Sequence, residues 1–146
     1  GAPTNNRGYA TSEVDLVIST HPDRDHIGGL STVIQDLDVK QLWMHEPTDA
    51  EVEEVAAATF TATGERESRL HSLTASLGDS QDLASLARSL GIEVIAPWAG
   101  RTAAGGALTV LGPTEDYYAS LVPRFRGYTD KESLRSLIAS AYFWVS

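Results

Sequence analysis

Apolar positions along the chain follow two rhythms that alternate. Val14-Asp15-Leu16-Val17-Ile18-Ser19 is short, β-branched and nearly all apolar, which predicts a buried strand. A polar loop covers residues 20–26. Leu30, Val33, Ile34 and Leu37 then recur at i, i+3, i+4 and i+7, one face of an amphipathic helix. Residues 39–44 predict a second strand. Thr48-Asp49-Ala50-Glu51 fits a capping box, in which the hydroxyl bonds the first-turn backbone while the Glu reaches back. The helix it opens turns Val52, Val55, Ala56 and Phe60 inward. Residues 61–78 carry mixed signals: Leu70, Leu73 and Leu77 favour helix, whereas Gly64-Glu65-Arg66-Glu67 reads equally as a mobile segment. Leu83, Leu86, Ala87 and Leu90 repeat the helical spacing, with Gly91 as a natural stop. Residues 92–96 and 107–111 read as strands. Thr114 can cap a helix with Glu115 and Asp116 in its first turn, where the positive helix end favours them, and Pro123 should end it. Thr129-Asp130-Lys131-Glu132 is a second capping box, opening a helix with Leu134, Leu137, Ile138 and Ala141 on one face. Strands and helices alternate, so the fold class is α/β.

Composition narrows the function classes. The 146 residues suit one ordinary domain or a large piece of a bigger one, and 42% apolar residues allow a sizeable core. Twenty acids against 11 Lys and Arg give a net charge of −9, which argues against broad nucleic-acid or anionic-membrane binding by this segment. With no cysteine, disulfides, thiolate nucleophiles and Cys-type zinc sites are excluded. No apolar run reaches the length of a membrane span. The start has neither an initiator Met nor the apolar core of a signal peptide, and a cytoplasmic location is expected.

The informative stretch is Thr20-His21-Pro22-Asp23-Arg24-Asp25-His26-Ile27-Gly28-Gly29-Leu30. It places two histidines and two aspartates within six residues, directly after a predicted strand and before a helix. Imidazole nitrogen and carboxylate oxygen suit Zn²⁺, Mn²⁺ or Fe. A rigid strand can aim four such groups into one cleft, and Gly28-Gly29 lets the backbone pass close beneath it. So dense a cluster gains from a cation, although solvent on an exposed loop offers the same relief. The competing reading is a polar loop whose aspartates cap the next helix and whose histidines are solvated.

This segment resembles the signature of metallo-β-lactamase-fold hydrolases, His-x-His-x-Asp-His at a strand end, with Asp23 in place of the second His. That variant, with Ile27-Gly28-Gly29-Leu30 after it, is similar to the branch containing the hydrolase domain of competence-type DNA-uptake channel proteins. The stretch Leu108-Thr109-Val110-Leu111-Gly112-Pro113-Thr114-Glu115-Asp116-Tyr117-Tyr118 also looks like that branch. The resemblance implies His21 and Asp23 as ligands of a first metal site, and Asp25 and His26 as ligands of a second. It also implies Asp25 as the group that holds or deprotonates the attacking water. The implied cofactor is two zinc ions, with manganese or iron as alternatives. The implied chemistry is hydrolysis by a metal-activated water, with charge stabilised on a phosphoryl or acyl oxygen. Two cations roughly 3.5–4 Å apart would favour phosphodiester cleavage.

The resemblance covers only the middle of that family's αββα sandwich. The opening strands are absent before Val14. The family's remaining ligands, a His, a bridging Asp and a last His, have no matching pattern here. Residues 1–146 are therefore expected to form an incomplete metallo-β-lactamase-like domain, its core starting near residue 14 and both ends truncated; loss of ligands in this homologue is the other explanation. His45, at the end of the second strand, is placed as a substrate-facing or loop-end residue ahead of a metal ligand, and His71 as a solvated helix residue. Arg24 either steers a phosphate bidentately or pairs with a neighbouring acid. Arg124 and Arg126 around Phe125 form a small basic-aromatic patch. Tyr117 and Tyr118 read as packing residues, and Glu51, Glu53 and Glu54 as a solvated helix face.

The expected function is a metal-dependent hydrolase, phosphodiesterase or nuclease-like, acting on a phosphodiester or other phosphoryl or acyl substrate. Nucleic acid as the partner rests on the resemblance, since the charge balance leans the other way. β-Lactam hydrolysis is not expected. The alternative is a catalytically inactive fragment of the same fold that serves as a protein-interaction module.

Overall fold

A computed structural model describes residues 12–60, 62–121 and 144–145. The elements, in chain order, are β1 (Glu13–Ile18), α1 (Arg24–Ile27), α2 (Leu30–Asp36), β2 (Asp38–Trp43), α3 (Asp49–Phe60), α4 (Glu65–Ser89), β3 (Glu93–Ile95), β4 (Thr102–Ala103), a 3₁₀ turn (Ala104–Gly106), β5 (Leu108–Gly112), α5 (Glu115–Leu121) and β6 (Trp144–Val145). The chain is α/β, as its pattern predicts. The first eleven residues, Pro123, Arg124, Phe125, Arg126 and the second capping box with its helix lie outside the described residues.

Strands β1, β2 and β3 form a parallel sheet in that order, with Ile18 beside Trp43 and Trp43 beside Ile95. Parallel neighbours need crossovers, and α1–α2 and α3–α4 supply them. All three strands therefore end on the same edge. The ladder runs one residue further there, Ser19 N–H donating to Trp43 O at 2.9 Å and Met44 N–H to Ile95 O at 3.0 Å. The loops after β1, β2 and β3 thus emerge side by side, at the edge where open α/β sheets take their ligands.

The helices α2 and α4 cover the sheet with most of the residues their spacing predicts, while Leu90 at the end of α4 is exposed. Ile34 of α2 is buried, with Leu30, Val33 and Leu37 packed around it, against Val17, Val39 and Leu42 of the strands. From α4, Leu83, Ala84 and Ala87 join the same core. The ambiguous segment resolves as helix: α4 is one 25-residue element that begins directly after Gly64. Its first half buries Leu70, Leu73 and Leu77, and α3 packs alongside with Val55 fully buried. Gly91 ends α4 as expected. It sits at φ +79°, with Gly91 N–H bonded to Arg88 O and Ile92 N–H to Ala87 O, the paired bonds of a Schellman stop.

Both caps before α3 and α5 form. Glu51 N–H donates to Thr48 Oγ1 at 3.2 Å while Thr48 N–H donates to the Glu51 carboxylate at 2.5 Å. Tyr117 N–H donates to Thr114 Oγ1 at 3.2 Å. One consequence corrects the sequence reading: Glu51 is buried rather than solvated, because reaching back to Thr48 folds it against its own helix. The pattern also misses β4, which pairs antiparallel with β5, while β6 pairs with the other side of β5. Strands of two residues are too short to show alternation.

Candidate metal-binding turn and a separate aromatic cavity

The predicted loop after β1 is shorter than its polarity suggests. It ends at Asp23, and α1 makes one helical turn, with His26 N–H and Ile27 N–H both bonded to Asp23 O and Gly28 N–H to Arg24 O. Ile27 is buried in the core and pins this turn to the sheet. His21 enters from the strand side and His26 from the turn, so their rings meet at 3.9 Å between centroids, tilted by 49°.

Each imidazole has a carboxylate beside it. His21 Nε2 lies 3.8 Å from Asp23 Oδ2, and His26 Nε2 lies 3.7 Å from Asp25 Oδ2. Asp23 stands at the cap position of α1, yet its side chain makes no capping hydrogen bond, unlike the capping aspartate of the competing reading. The Thr20 hydroxyl is 2.9 Å from His21 Nδ1 and fixes that ring's other nitrogen. Partial burial, and next the neighbouring His26, hold the His21 imidazole below the ordinary histidine value, against the opposing pull of Asp23 and Asp25. A lowered value favours the neutral imidazole, the form that ligates a metal.

The donor set therefore has the chemistry for a borderline cation: two imidazoles, two carboxylates and a hydroxyl orienting one ring from behind. The groups stand as two His–Asp pairs. Among the described residues, no three His, Asp or Glu side chains are placed to hold one ion by themselves.

Arg24 projects from the same turn to Asp79 of α4, Nε to Oδ2 at 3.0 Å. Of its two predicted roles, the structure contains the ion pair. Gly28 and Gly29 also differ. A Cβ on Gly28 would meet Arg24 O at 2.7 Å, whereas one on Gly29 would meet nothing within 4 Å. Close backbone passage is thus required at Gly28 alone.

His45 follows β2 and is buried at 4% exposure. It stacks on Tyr118, 5.4 Å between centroids and 18° between planes, and touches Trp98 at 4.4 Å. These rings wall a cavity of about 670 Å³ between the ends of β2 and β3 and α5. None of His21, Asp23, Asp25 and His26 is among the described residues that line it. Burial pushes the His45 imidazole down to about 4. Beside it, Arg88 grips Glu46 with both terminal nitrogens, Nη1 to Oε1 at 2.9 Å, and holds that carboxyl below its usual range. His71 lies exposed on α4, 3.9 Å from Glu67 one turn earlier, the solvated helix position its neighbours predict.

Sequence reasoning misses Thr20, Asp79 and Trp98 as partners of the groups it singles out. An aromatic directly past a strand of a parallel sheet is the signal that marks Trp98, whereas nothing local links Asp79 to residue 24. No family model matches the chain, and no match is found among curated proteins or solved structures.

Proposed function

We propose that the chain is part of a metal-dependent hydrolase of the metallo-β-lactamase type, with the β1–α1 turn as half of its metal centre. The observation that supports this most is the pairing of His21 with Asp23 and of His26 with Asp25 on a turn that brings the two rings into contact. On this reading His21 and Asp23 hold one divalent cation and Asp25 and His26 a second, zinc first and manganese or iron next. The parallel sheet backed by α2 and α4, with β4–β5–β6 as a second sheet, would be the part of an αββα sandwich that carries this edge.

When bound, such cations supply Lewis acidity and a nucleophilic water at neutral pH. The chain's own residues do the rest. Thr20 orients His21, Ile27 anchors the turn, and on this reading Asp25, exposed at its tip, would accept a proton from the attacking water. A phosphodiester is the preferred substrate class, on the strength of the sequence resemblance.

The test is metal content by elemental mass spectrometry on the full gene product, purified without added metal or chelator, beside Asp25→Ala and His26→Ala. About two equivalents of zinc or manganese per chain are expected. Both variants should lose metal and phosphodiesterase activity while keeping the fold. No metal after metal is offered back, or activity retained in either variant, overturns the assignment.

A further inference from the structure

The aromatic cavity lies apart from the metal-binding turn and has a chemistry of its own. Its volume of about 670 Å³ is that of a small-molecule site. Three segments distant in sequence each bring a ring to it: His45 after β2, Trp98 after β3 and Tyr118 on α5. Trp98 and Tyr118 also meet edge to face at 5.6 Å. Met44, Val94 and Ala96 complete an apolar wall.

The ionic groups around this wall do not cancel. Arg88 is engaged by Glu46, which accounts for the lining's one Lys or Arg among the described residues. Two further carboxylates face the space. Glu51 gives one oxygen to Thr48 N–H, and Glu115, at the start of α5, makes no hydrogen bond or ion pair with a described residue. Aromatic faces carry negative potential and add to this field. An anion entering here would meet carboxylates and π faces with no free Lys or Arg among the described lining residues to receive it. A cation with an apolar body would meet favourable charge and a wall to pack on.

We propose that this cavity binds a small organic cation, an aryl- or alkylammonium ion, with its apolar part against Trp98 and Tyr118 and its charge towards Glu115 and Glu51. This site does not depend on the metal-centre reading, and either can stand without the other.

Three probes of one shape test it: benzylammonium, benzyl alcohol and benzoate, titrated to millimolar concentration against the full chain, followed by tryptophan fluorescence and calorimetry. Benzylammonium should bind more tightly than benzyl alcohol by about 2- to 30-fold, the range of a cation–π contact, with benzoate weakest. Glu115→Gln, at an exposed position that leaves folding intact by circular dichroism, should weaken benzylammonium several-fold and leave benzyl alcohol unchanged. Trp98→Leu should weaken both. Benzoate binding as well as benzylammonium, no binding of any probe to the folded chain, or no effect of Glu115→Gln on the cation would each overturn the proposal.

Discussion

The rings of His21 and His26 stand 3.9 Å apart because one helical turn folds His26 back towards the strand that delivers His21. That turn closes through Gly28 N–H on Arg24 O at 2.9 Å. The same carbonyl lies 2.7 Å from where a Gly28 Cβ would sit. The contact between the two histidines therefore depends on an absent methyl group.

Gly28→Ala should accordingly push Arg24 O away and open the turn. The obstacle is backbone, which cannot swing aside as a side-chain tip would. A cost of about 1–3 kcal/mol is expected, the range for overpacking, together with changed His21 and His26 ring shifts by NMR. Gly29→Ala meets no atom within 4 Å and should cost under about 1 kcal/mol, with the ring shifts unmoved. Equal effects of the two substitutions, measured by urea denaturation, would contradict this account.

Arg24 and Asp79 are the next link between the turn and α4. Both are well exposed, at 75% and 39%, so water and salt screen the pair. A double-mutant cycle over Arg24→Gln and Asp79→Asn should give a coupling within ~1 kcal/mol that vanishes in molar salt. If the pair is what Arg24 is for, Arg24→Gln should change KM for a phosphodiester by less than about threefold, under ~0.7 kcal/mol. A tenfold rise in KM would restore the phosphate-steering role.

The α3 capping box tests how far a local sequence signal carries energy. Thr48→Ala and Glu51→Ala each remove one bond of a reciprocal pair, and each should lower stability by about 0.5–2 kcal/mol. Because the two bonds share partners, the double variant should cost less than the sum of the singles. Additive losses in thermal denaturation would mean that the two bonds act separately.

These cases also show what was legible in the chain. Signals that act within a few residues came through: the Thr48–Glu51 and Thr114 caps, the Gly91 stop, the helical spacing of Leu30, Val33, Ile34 and Leu37, and the strands over residues 14–19 and 39–44. The cluster of His21, Asp23, Asp25 and His26 was legible too, since it is contiguous. What stayed hidden was made by the sheet. Parallel pairing sets the loop after β2 beside the loop after β3, which brings His45 to Trp98 across more than fifty positions. No local pattern encodes that distance. The Gly64 segment was ambiguous because the polar, exposed Glu65 and Glu67 open α4 before its apolar stripe begins at Leu70.

His45 provides the clearest pH signature. Burial among Trp98 and Tyr118 lowers its folded value to about 4, from an ordinary 6.5. Below about pH 6.5 the unfolded chain takes up a proton that the folded chain refuses until about pH 4. Stability contributed by the neutral, buried ring is therefore complete above pH 6.5 and is lost as pH falls through that window, by at most about 3 kcal/mol. Glu46, held low by Arg88, acts in the same direction but only as pH drops below its ordinary 4.5. The two separate in one experiment, urea denaturation of wild type and His45→Phe at intervals from pH 7 to pH 4.5. Wild type should lose stability across that interval, and His45→Phe should show a flatter profile whatever its absolute stability. Parallel profiles would mean that His45 gains its proton in the folded chain as readily as in the unfolded one, and the buried, neutral ring against Trp98 would have to be abandoned.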